Sequence, residues 1–195
     1  MPGMPAAVHN EREGLLAYLA QQRDGLKYAA FGLTDQEIRQ TPTRSALSLG
    51  GLLKHAAHTE REWITTMLGR AAATDEQAYA DTFSLADGDT LASLVADIDV
   101  VARETEAAVL GLPDLDVTVQ LPPAPWFPAS SDGFSARWIL LHVLEELARH
   151  AGHADIIREH IDGATEYELL AAAEGWPETD WLKPWKRSQP AEVGS

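Results

Sequence analysis

From Trp138 to Gly163 the chain reads WILLHVLEELARHAGHADIIREHIDG, a proline-free stretch with apolar residues at helical intervals. At ~100° per residue, Val143, Leu147, His150, Ala154, Ile157 and Ile161 share one stripe, so a long helix facing a core is expected. Glu146 falls ~40° from His150 on the same wheel. A carboxylate turned into a packed interior costs several kcal/mol unless an arginine, a proton or a metal ion compensates it. A histidine one turn away favours metal, because imidazole and carboxylate together form a common zinc-type donor set.

Three further helices are expected upstream. The first runs from about Asn10 to Phe31, with Leu15, Leu19, Leu26 and Ala30 on one face and Gly32 at its end. Thr34 and Glu37 have capping-box spacing in the connection, which Pro42 closes. Ser48 is the expected N-cap of a second helix, LGGLLKHAAHTEREWITTMLGR, ending near Arg70. The segment from Ala71 to Leu85 is less regular, with room for a short helix. A third helix spans roughly Asp89 to Leu110, with Leu91, Leu94, Val95, Ile98, Val101 and Ala102 at helical spacing.

Gly111 and Pro113 stop that helix, and a long proline-rich loop from Leu112 to Gly133 follows. Ser131 or Asp132 is the expected cap of the last long helix, of about thirty residues. A short helix near Glu166 to Glu174 precedes GWPETDWLKPWKR, whose Trp176, Trp181 and Trp185 suggest a segment folded back on the body. Four amphipathic helices without strand signals predict an all-α four-helix bundle over 1–187, with a disordered tail at 188–195.

Composition removes several function classes. A formal net charge of -15 argues against nucleic-acid binding, which draws its affinity from Lys and Arg, and against docking on an anionic membrane. No apolar run approaches the ~20 residues that span a bilayer. The opening MPGMPAAVHNEREGLL shows no basic region followed by an apolar stretch, so no secretory leader is expected. With no cysteine, a disulfide framework and a protein thiolate nucleophile are both excluded, and a cytoplasmic location is the expectation.

A third metal ligand must come from another helix. The rival set His142, Glu146 and His150 lies on one helix, with its ends about 12 Å apart along the axis. On the second helix the stripe is Leu49, Leu52, Leu53, Ala56, Trp63 and Met67. His55 lies at its edge and His58 nearly opposite, so His55 is the better partner. Glu60 also falls on this stripe, where an arginine partner or a role orienting a ligand histidine would account for it. His9 and His160 are expected to be solvated. Trp63 and Trp138 are expected in the core, and Trp126 and Phe127 either wall a pocket or pack on the core.

The fragments LLKHAAHTEREW and ARHAGHADIIREHIDG resemble the second- and fourth-helix signatures of the DinB-like superfamily of metal-binding four-helix bundles. The tail GWPETDWLKPW is similar to the DUF664 subgroup, where related chains have been called mini-circle proteins. Many superfamily members carry a histidine pair on helix four, but here the first of the pair is Glu146. That variant resembles mycothiol-dependent maleylpyruvate isomerases, and the resemblance implies a divalent metal on His55, Glu146 and His150. Those isomerases have a second, C-terminal domain that this chain is expected to lack, so isomerisation of maleylpyruvate is not expected. His153 stands where many members have a glutamine.

A His₂Glu set leaves a coordination position open. The leading expectation is a metal-dependent thiol transferase, with zinc or nickel as the ion. A small-molecule thiol of the mycothiol type would be the co-substrate and an electrophile its partner. Glu145 and His153 are candidate proton carriers, and His142 is an alternative supporting residue. One alternative is a metal-dependent hydrolase with Glu60 or Glu145 as general base. The other is a non-enzymatic, stress-related metal-binding bundle. Pairing of two bundles into a homodimer is also expected.

Overall fold

The computed structural model describes residues 3–70, 80–121, 127 and 132–187. Helix α1 covers Glu11–Ala29 and α2 covers Leu49–Met67. Helix α3 covers Leu91–Gly111, α4 covers Ala136–Asp162 and the short α5 covers Glu166–Glu174. Each start has a local cause. Asn10 accepts from the Glu13 N–H, Ser48 from Gly51 N–H and Thr90 from Ser93 N–H, satisfying amides that have no partner inside the helix. Thr34 and Glu37 form the expected reciprocal cap, here on a single 3₁₀ turn, Glu37–Arg39. Gly163 ends α4 at φ 79°, a left-handed conformation that a side chain would resist.

The apolar stripes converge as their spacing predicts. Helix α4 lies along α1 and α2, and α2 also lies along α3, so α2 sits between α3 and α4. Leu19, Leu26, Leu52, Leu53, Ile98, Ile139, Leu140, Leu147 and Ile157 are almost fully buried in one continuous core. Each such side chain contributes roughly 1.5–3 kcal/mol relative to exposure. Among the described residues no helix is long and apolar enough to cross a membrane.

The expectation of a strand-free chain needs a small correction. Thr118–Val119 (β1) pairs antiparallel with Phe134–Ser135 (β2), Thr118 opposite Ser135 and Val119 opposite Phe134. The carboxylate of Asp114 accepts from the Asp116 and Val117 amides and turns the chain into this ladder. The pairing holds residues 134 and 135 extended, so α4 starts later than expected. Its cap is Ser135, which accepts from the Trp138 amide, and not Ser131 or Asp132.

The tail folds back only in part. Trp185 lies over the buried Arg158 guanidinium at 4.8 Å, meets Phe31 edge-on, and its amide donates to the Glu168 carbonyl at 2.9 Å. Trp176 is half-buried, whereas Trp181 is 77% exposed. The expected tail at 188–195 lies outside the described residues.

Candidate metal centre

Helices α2 and α4 run antiparallel where they touch. His55 meets Glu146 and His150, while Trp63, two turns further along α2, meets His142 and Trp138, earlier on α4. This crossing brings His55, Glu146 and His150 together, with one ligand atom of each within 4.8 Å of the others. Glu146 Oε2 is 4.0 Å from His55 Nε2 and 3.5 Å from His150 Nε2. Ligand bonds of ~2.0–2.2 Å in tetrahedral geometry place donors about 3.3–3.6 Å apart, so modest side-chain rotations would close the set.

The electrostatics suit the same chemistry. His150 and then His55, hydrogen-bonding to Glu146, hold its carboxyl well below the usual carboxylate range, against the opposing effect of burial. The proton alternative for this carboxylate is thereby disfavoured. Among the described residues, the ion-pair contacts of Glu146 are with the two histidines and not with Lys or Arg. Burial pushes the His55 imidazole below its ordinary range, which favours the neutral form a metal needs. A partly buried anion facing two imidazoles therefore fits a divalent cation. His55 is fully buried, beyond the stripe-edge position its spacing predicts, because Phe83 stacks on its ring at 3.8 Å.

Two neighbours of the site were not anticipated. Thr82 Oγ1 lies 2.8 Å from His55 Nδ1, and Phe83 covers the same ring and meets His150 edge-on. They belong to an irregular segment, where periodicity gives no signal. Thr59, one turn after His55, places its hydroxyl 3.2 Å from Nε2 and 3.4 Å from Nδ1. His153 Nδ1 lies 3.5 Å from His150 Nδ1, behind the ring edge that faces Glu146.

The other sequence candidates separate cleanly. Glu60 is 1% exposed and accepts from Arg23 and from the Thr105 hydroxyl, both at 2.5 Å, so the arginine reading of this residue holds. Glu145 is exposed, paired with Arg149 and 3.7 Å from His142 Nδ1. His58 points away toward Glu62, and His9 and His160 are exposed. Trp63, Trp138 and His142 form a ring cluster beside the centre, and Phe127 and Phe134 extend it. Phe127 thus packs on neighbouring rings, while Trp126 lies outside the described residues.

An all-α bundle with two histidines and a glutamate gathered between its second and fourth long helices is a DinB-like protein. Within that class, the chain belongs to the mycothiol-S-transferase family, whose model matches residues 14–163 and so includes every residue of the centre. No protein of curated function matches the chain. A crystal structure of a conserved protein from Enterococcus faecalis is similar in fold, with a TM-score of 0.59 at 14% identity. The match covers 80% of this chain and 100% of that one.

Proposed function

We propose that this protein is a metal-dependent thiol S-transferase that joins a low-molecular-weight thiol of the mycothiol type to an electrophile. The observation that carries the reading is the convergence of His55, Glu146 and His150 within 4.8 Å in a chain of this family. These three residues would hold the ion, zinc or nickel by donor type. A divalent ion there supplies an open Lewis-acid position that lowers a thiol's pKa.

The chain's residues do the rest. With no cysteine, the protein contributes no thiol of its own, and the co-substrate must bring the nucleophile. In the transfer the thiol loses its proton and its sulfur forms the new S–C bond. The leaving group departs with the electron pair of the bond that breaks. Glu146 and the two imidazoles keep the thiol position polar, while Phe83 and the buried face of α2 exclude water behind it. The proton passes to His142, one turn from Glu146 and partly open to solvent. His153 is better placed to orient His150 than to meet substrate.

The hydrolase alternative has less support, because Glu60 is engaged by Arg23 and Thr105, and Glu145 by Arg149. The test is conjugation of mycothiol to monobromobimane by zinc-loaded protein, against thiol-free and His55→Ala controls. Thiol-dependent turnover above background, lost in the variant, is expected. Turnover of ester or amide probes without thiol would overturn the reading in favour of hydrolysis.

A further inference from the structure

Helix α2 opens with two consecutive glycines, Gly50 and Gly51, although glycine costs roughly 1 kcal/mol against alanine inside a helix. Their neighbours supply the reason. A Cβ on Gly51 would collide with the Phe83 carbonyl oxygen, and one on Gly50 would stand 2.5 Å from Leu85 Cδ1 and 3.2 Å from the Ile38 carbonyl. The Phe83 backbone and the Leu85 side chain therefore lie directly on the first turn of α2. His55 follows Gly51 by one turn on that helix, so the chain seated on the glycines arrives at the imidazole. It delivers the Thr82 hydroxyl to Nδ1 at 2.8 Å and the Phe83 ring to the imidazole face. Thr82 is itself 5% exposed, so its hydroxyl meets His55 in a dry setting.

We propose that the strap Thr82–Leu85, seated on Gly50 and Gly51, fixes His55 as an Nε2 ligand, with Thr82 as its positioning residue. The inference rests on the metal reading above and adds how its buried ligand is oriented. A neutral imidazole carries one N–H and one lone pair, so the partner of one nitrogen decides which of them the other offers. Nε2 is the nitrogen nearer Glu146, and a metal there requires its lone pair. The proton then sits on Nδ1, where it donates to the Thr82 hydroxyl. Without that acceptor the Nδ1–H loses its shorter hydrogen bond and keeps the Thr59 hydroxyl at 3.4 Å, so the tautomer the metal needs loses much of its advantage. Thr59, lying alongside both ring nitrogens, limits the rotation of the ring about this axis.

The experiment is zinc affinity of the full chain by chelator competition, with thermal unfolding of each metal-free variant as a fold control. Thr82→Val keeps the side chain's shape and removes the acceptor, and it is expected to weaken zinc binding about 10- to 100-fold. Thr82→Ser restores the hydroxyl and is expected to recover most of the affinity. Gly51→Ala pushes on the strap at the Phe83 carbonyl and leaves Thr82 and His55 themselves unchanged, and it should weaken zinc in the same direction. In zinc-loaded wild type, the His55 ring should give a slowly exchanging Nδ1–H signal in ¹⁵N spectra, absent in Thr82→Val. Zinc affinity of Thr82→Val within twofold of wild type would overturn the role of Thr82 and leave the metal centre standing. A wild-type chain that binds no zinc while His55 remains buried would overturn the metal reading itself and this inference with it.

Discussion

Arg23 donates to Glu60 at 2.5 Å inside the bundle, and that contact separates the two glutamates that fall on apolar stripes. Glu60 has its cation on α1 and a hydroxyl donor, Thr105, on α3. Glu146 has two imidazoles instead. The first arrangement is complete as it stands, whereas the second is an anion facing imidazole nitrogens and suited to a cation. Glu60→Ala would leave the Arg23 guanidinium buried without a counter-charge, which costs about 3–5 kcal/mol. Urea unfolding should show that loss, while zinc stoichiometry of the folded protein stays unchanged. Loss of zinc without loss of stability would reverse the two assignments.

Arg158 gives a second stability prediction. Fully buried, it donates to the Ala29 and Phe31 carbonyls at 2.8 Å and pairs with Asp162, so it ties the end of α1 to α4. Arg158→Met would strand these acceptors and should cost about 3–5 kcal/mol. Trp185→Ala removes the ring above the guanidinium together with its edge contact on Phe31, and should cost about 1–2 kcal/mol. Thermal unfolding of the two variants checks the order, and an equal or larger effect of Trp185→Ala would contradict it.

Asp155 sets a pH dependence. Burial first, then the nearby Glu166 and Glu159, push its carboxyl up to about 6, above the ordinary aspartate value of 3.8. The folded state therefore binds this proton more tightly than the unfolded chain, and the group's stabilising contribution is full below about pH 4 and lost as pH rises through 6. Asp155→Asn removes the buried charge and should raise the melting temperature at pH 7–8, with the gain shrinking as pH falls toward 4. Melting curves across that range test it, and a gain that grew on acidification would contradict the assignment.

Helical periodicity made most of the architecture legible. The buried stripe of α4 from Val143 through Ile157 and the bounds of α5 follow from spacing, and Ser48 and the Thr34–Glu37 pair from cap chemistry. The centre was legible for the same reason, since Glu146 and His150 lie one turn apart on one face. The start of α4 was not, because pairing between 118–119 and 134–135 is a long-range event that no local cap announces. Trp181 and Trp185 are alike in sequence, and only the position of Arg158 distinguishes the exposed ring from the packed one. Thr82 and Phe83 carry no pattern of their own. The signal that could have found them lies elsewhere, in two glycines spent inside a helix just before a candidate ligand.

Metal content of tag-free protein, measured by mass spectrometry after zinc reconstitution, tests the His55–Glu146–His150 site most directly. His55→Ala, Glu146→Ala and His150→Ala should be measured beside the wild type. About one divalent ion per chain in the wild type, lost or much reduced in all three variants, is the predicted result. A wild-type chain that stays metal-free after reconstitution, or variants that retain the ion, would contradict the account.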